Sequence, residues 1–134
     1  WRGLSAQKQA IDEAAGILNS LRIPAERQTA ELPYGQQRLV EIALALATKP
    51  KVLLLDEPAA GVPKEESAAL FDAIANLSRE LTILFIEHDM NVVFRFASRI
   101  IVMVGGRILV EGTPQEIAHD ERVREVYLGA GHAA

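Results

Sequence analysis

The sequence predicts an α/β fold, built mainly of parallel strands with flanking helices and ending in a β-hairpin and short helices. Three stretches predict it. Val52-Leu53-Leu54-Leu55 is an unbroken aliphatic run that ends in Asp56-Glu57-Pro58. A short apolar run closed by a proline reads as a strand buried on both faces of a parallel sheet. Thr82 to Ile86 is a second apolar, β-branched run, ending in Glu87-His88-Asp89. Between them Pro63 opens a helical pattern to about Glu80, with Leu70, Ala73, Ile74 and Leu77 as its inner stripe. A strand–helix–strand crossover makes the two strands parallel neighbours.

The other elements follow in order. Ser5 to Leu21 reads as a helix, with Ile11, Ala14, Ala15, Leu18 and Leu21 at helical spacing and Pro24 closing the segment. The polar stretch Ala25 to Glu31 is a connector. Pro33 suits a first helical turn, and Leu39 to Ala47 is apolar on nearly all sides, which predicts a buried helix. Asp89 is placed to N-cap a helix running to Ala97. Ile100–Val104, Gly105-Gly106 and Arg107–Val110 read as a hairpin with a Gly-Gly turn. Thr113-Pro114-Gln115-Glu116 is a capping box, and Asp120 caps a last helix, Glu121 to Leu128, with Gly129 just past its end. The tail, residues 130–134, is expected to be disordered.

Composition narrows the function. The 134 residues are one domain's worth, 49% hydrophobic and 24% charged. A formal charge of −4 gives no reason to expect a nucleic-acid partner. The absence of cysteine excludes a disulfide framework and a thiolate metal site. No apolar run approaches the roughly 18 residues needed to cross a bilayer. His119 and His132 lack partners at metal-ligand spacing, and Arg122 and Arg124 interleave with Glu121 and Glu125 as a solvated helix face.

The chemistry sits at the strand ends. Asp56 and Glu57 lie at the carboxyl end of their strand, the edge where open α/β sheets hold ligands. Adjacent carboxylates repel, and a divalent metal on one with a proton-accepting role for the other resolves the conflict, as in phosphoryl-transfer enzymes. Two solvated acids in a loop is the alternative that this stretch alone leaves open. His88 is level with both carboxylates if the strands are parallel neighbours. Gly35 lies at a helix N-terminus, where free N–H groups and the positive dipole end suit a phosphate and the missing Cβ allows close approach. A capped structural helix accounts for the same residues.

Together, Leu32-Pro33-Tyr34-Gly35-Gln36-Gln37-Arg38, the strand ending Asp56-Glu57-Pro58 and the strand ending Glu87-His88-Asp89 resemble the C-terminal half of an ABC transporter ATPase subunit. Leu32 to Arg38 looks like the ABC signature, Val52 to Glu57 like Walker B, and His88 like the switch histidine. Glu57-Pro58-Ala59-Ala60-Gly61, Glu111-Gly112-Thr113-Pro114 and the ending Val126-Tyr127-Leu128-Gly129 are similar to the ATP-binding subunits of branched-chain amino-acid importers. Lipopolysaccharide-export ATPases end similarly.

The resemblance implies a partial P-loop NTPase-like (ABC ATPase) domain. Residues 1–48 would be part of a helical subdomain with the signature helix, and residues 49–129 the C-terminal part of the ATPase core. The implied cofactors are ATP and Mg²⁺. Asp56 would hold Mg²⁺ through water, Glu57 would polarise the attacking water, and His88 would contact the γ-phosphate. Tyr34, Gly35 and Gln36 would act in trans on ATP held by a second ATPase subunit in a head-to-tail dimer. Gly61, Val62 and Pro63 would form the dimer-contact loop, Pro63 standing where the family usually has Asp or Asn. Membrane permease subunits are the other implied partners, and the implied location is cytoplasmic, at the inner face of the cell membrane.

None of the nine glycines precedes a lysine, so the sequence holds no G-x-x-x-x-G-K-[ST] loop to cradle phosphates. The expectation is therefore the C-terminal part of a longer subunit that binds ATP poorly alone and self-associates through its bare edges. A stand-alone regulatory or dimerisation module derived from an ABC ATPase is the competing expectation.

Overall fold

In the computed structural model the described residues are 2–77 and 80–128, with only the backbone of 2–4 and 128. The expectations for Gly129, His132 and the tail lie outside them. The chain forms two compact units, Trp1–His88 and Asp89–Ala134.

The first unit contains α1 (Arg2–Ser20), a short 3₁₀ turn (Thr29–Glu31), α2 (Tyr34–Leu46), β1 (Val52–Asp56), α3 (Lys64–Ala75) and β2 (Thr82–Ile86). β1 and β2 pair in parallel from Val52↔Thr82 to Asp56↔Ile86, as the crossover predicts. The helix stripe is buried as read, through Leu70, Ala73 and Ile74, with Phe71 joining it. Phe71 meets Phe85 of β2 edge-on, ring centroids 5.5 Å apart. Leu21, Ile23, Leu32, Leu39, Ile42, Ala43 and Leu53 complete the buried apolar set.

Four expectations change. β1 is buried on one face only: Leu53 is buried, whereas Val52 and Leu54 are exposed together with Leu84 and Ile86 of β2. Alternation along the strands puts these four on one side, and the other side is the one from which Phe85 reaches α3. α2 is likewise half-buried, because Gly35, Leu39, Ile42 and Ala43 line its inner side while Leu44 is 69% exposed. In α1 the stripe at Ile11, Ala14 and Ala15 is exposed, and Leu21, just past its end, carries the burial. α3 stops at Ala75 rather than near Glu80. Its C-cap Asn76 turns its side-chain amide onto the Asp72 carbonyl, competing with helix continuation.

The second unit is α4 (Met90–Phe96), β3 (Ile100–Val104), β4 (Arg107–Gly112), α5 (Pro114–His119), α6 (Glu121–Val123) and a π-helical turn (Arg124–Leu128). Asp89 caps α4 by accepting from the Asn91 N–H. The hairpin turns at Gly105 and Gly106, φ +55° and +75°, the left-handed pair that a two-residue hairpin turn requires. The Thr113–Glu116 capping box forms in both directions, and Asp120 caps α6. Ile100, Val102, Ile117 and Val123 form the core, with Val93, Phe94, Leu109 and Val110 packed against it. Among the described residues no helix is long and apolar enough to cross a membrane.

Candidate functional site

The parallel register carries β1 and β2 to a common edge, and the backbone just beyond it is tied down on both sides. The Glu57 N–H donates to the Ile86 carbonyl (2.9 Å), and the Glu57 carbonyl accepts from the Ala60 N–H (2.9 Å). Between these bonds Glu57 is held at φ +44°. Left-handed backbone in a residue with a Cβ costs on the order of 1–3 kcal/mol and persists only where the surroundings enforce it.

The result is a juxtaposition. His88 Nδ1 lies 3.4 Å from Glu57 Oε1, both side chains at least half exposed. An exposed pair of this kind contributes little to stability. The neighbouring Glu87 fastens the loop after β1, its Oε1 accepting from the Ala59 N–H at 3.2 Å. Asp56 belongs to the bare face with Val52 and Leu54, and borders an open cleft lined also by Arg38, Ile42, Leu53 and Glu57. Its oxygens suit a hard cation such as Mg²⁺. No group of three or more His, Cys, Asp or Glu converges among the described residues.

The second group of predicted residues meets at the start of α2. Pro33 caps the helix, its carbonyl accepting from the N–H groups of Gln36 and Gln37. The N–H of Gly35, expected to be free, donates instead to Glu66 Oε2 in the first turn of α3 (2.9 Å). Gly35 is buried there; a Cβ on it would lie 3.0 Å from that oxygen and 3.4 Å from Val62 Cγ1. Gly61, at φ +75°, faces the Tyr34 ring at 3.4 Å from where a Cβ would stand. Pro63 serves as the N-cap residue of α3. Tyr34, Gly35, Gly61, Val62 and Pro63 therefore come together, and Gln36 lines a shallow recess with Arg22, Arg27 and Pro33.

Three residues at these sites are not singled out by the sequence. Arg38 donates to the Tyr34 hydroxyl (2.8 Å), stands 5.1 Å over its ring and pairs with Glu41, which raises the guanidinium pKa. The i, i+4 spacing of Tyr34 and Arg38 is a legible signal. Glu87 and Glu66 carry none, since their partners are 28 and 31 residues away.

Residues 4–60, which contain α2, β1 and Glu57, match the family described as ABC transporter. Residues 107–133 match the one described as branched-chain amino acid ATP-binding cassette transporter. The chain belongs to the ABC transporter ATP-binding family. Relatives include the high-affinity branched-chain amino acid transport ATP-binding protein LivG of Salmonella typhimurium, 44% identical over 128 residues, which cover 92% of this chain and 50% of LivG. BraF of Pseudomonas aeruginosa, with the same description, is 40% identical over the same shares. The solved ADP conformation of MJ1267, an ATP-binding cassette of an ABC transporter, superposes with a TM-score of 0.78 at 34% identity, over 90% of this chain and 50% of that one. The cbiO1 structure from Clostridium perfringens gives 0.76 at 29%, over 91% and 51%. This ABC chain thus spans about half the length of the relatives it matches.

Proposed function

We propose that this chain is the C-terminal portion of an ATP-hydrolysing subunit that powers an ABC importer for branched-chain amino acids. The observation that supports it most is the Glu57–His88 contact at the carboxyl ends of two parallel strands. Glu57 is the general base that takes a proton from the attacking water, and its tied-down backbone keeps it at the strand edge. His88, one contact away, senses the γ-phosphate. Asp56 is the carboxylate that holds Mg²⁺, which when bound offsets the phosphate charge. Tyr34, Gly35 and Gln36 form the face that meets ATP held by a second subunit, and Gly61, Val62 and Pro63 touch that subunit. The other partners are membrane permease subunits, which place the protein at the inner face of the cell membrane. Support for the amino-acid substrate comes from the LivG and BraF relatives and the match over residues 107–133.

The phosphate cradle is not in this sequence, so the 134-residue chain binds ATP weakly and turns over essentially none. Calorimetric titration with Mg-ATP is expected to give no heat at millimolar nucleotide; tight binding would show that other residues hold the triphosphate. In the complete subunit, Glu57→Gln is expected to lower turnover about 10²–10⁴-fold, the usual worth of a general base, with ATP binding retained. Near wild-type turnover in that variant would remove Glu57 from the role.

A further inference from the structure

We propose that Glu66 is a positioning residue for the first turn of α2, setting which residues that turn presents to a second subunit's nucleotide. The inference rests on the role assigned above to Tyr34, Gly35 and Gln36. The first N–H groups of a helix have no partner inside it and point along the axis toward whatever the helix start faces. Here the Gly35 N–H is taken by Glu66 Oε2 at 2.9 Å, across 31 residues of sequence. An ionised acceptor at a helix N-terminus makes one of the stronger hydrogen bonds available and is favoured by the dipole.

The packing says which way the turn is rotated. Gly35 is the inward residue: it is buried, and the space where its Cβ would be is walled by Glu66 and Val62. Successive helical residues are about 100° apart, so turning Gly35 inward carries Tyr34 and Gln36 out to either side. Tyr34 is 40% exposed and Gln36 partly so. The same contact ties the α2 start to the loop after β1, because Val62 and Gly61 of that loop touch Gly35 and Tyr34. The loop is in turn fastened at Ala59 to Glu87, next to His88. Glu66 thus holds the two surfaces assigned to the second subunit, α2's start and residues 61–63, in one fixed relation. Gly35 owes its missing side chain to α3 as much as to any ligand.

The bond itself is testable in the 134-residue chain by a through-hydrogen-bond scalar coupling between the Gly35 nitrogen and the Glu66 carboxyl carbon. A measurable coupling is expected, and its absence in the folded chain would overturn the proposal. The role is tested by ATP hydrolysis in the complete subunit. Glu66→Ala is expected to raise the KM for ATP roughly tenfold, the scale of one lost charge-assisted hydrogen bond, with a smaller change in kcat. Glu66→Gln, which keeps an acceptor oxygen, is expected to restore KM to within about threefold of wild type. Unchanged KM in Glu66→Ala, or no rescue by Gln, would refute the role. Glu57→Gln run alongside separates the two failures: if it is inactive while Glu66→Ala is normal, only the positioning role falls. If Glu57→Gln is active, the proposed function falls first.

Discussion

Phe71→Ala is the substitution expected to damage the first unit most. The ring is 1% exposed and meets Phe85 edge-on at 5.5 Å, so truncation removes a filled volume and an aromatic pair together. Phe-to-Ala changes in cores cost about 3–5 kcal/mol, a large share of the 5–15 kcal/mol typical of a whole domain. With a urea slope of about 2 kcal/mol per molar, the midpoint should fall by roughly 2 M, read by far-UV circular dichroism. A double-mutant cycle of Phe71→Leu with Phe85→Leu isolates the pair, whose coupling should be about 0.5–1.5 kcal/mol. A loss below about 1 kcal/mol for Phe71→Ala would refute the reading of this ring as a closely packed core contact between α3 and β2. The same truncation should loosen the Gly35–Glu66 bond, because Glu66 rides on the helix that Phe71 anchors.

Glu57→Gly should raise stability by about 1 kcal/mol, since glycine adopts φ +44° freely; a less stable variant would show that the side chain outweighs the strain. Acid should weaken the second unit. The Glu116 carboxyl is lowered chiefly by the Thr113 backbone N–H and that of Asp120 by the Arg122 side chain. A depressed folded value contributes stability that is present above the ordinary carboxylate range and lost as pH falls through the lowered values. Loss of the α5 and α6 amide signals below about pH 4, before those of β3, is the expected pattern, and pH-independent signals would contradict it. Leu54→Lys, on the bare face beside Leu84, should lower the light-scattering mass of the concentrated chain; a wild type already monomeric would remove the premise of self-association.

What could be read ahead of the structure was whatever local pattern dictates. Strand limits at Thr82 and Ile86, the Asp89 and Asp120 caps, the Thr113 capping box and the Gly-Gly turn all follow from residues within a few positions of one another, and the parallel pairing follows from the strand–helix–strand order. The approach of His88 to Glu57 was legible too, because parallel pairing brings strand ends level. Burial was read less well. An aliphatic run such as Val52–Leu55 records a preference for being covered, but coverage depends on which helices lie against each face, and only one face is packed here. The Gly35–Glu66 and Ala59–Glu87 bonds, 31 and 28 residues apart, were invisible because neither short-range spacing nor strand pairing encodes them.

The rigid seating of Glu57 has a consequence for how this chain tolerates changes in length. Its amide is bonded to the Ile86 carbonyl, one step beyond the Asp56↔Ile86 pair. Strand side chains alternate faces with a period of two, so one residue added or deleted within β1 would exchange the directions of Asp56 and Leu55 and unseat that amide. A residue added to the surface of α1, whose middle turns are exposed, disturbs no comparable pairing. Insertions and deletions should therefore accumulate in the N-terminal helix and be purged from the five residues of β1.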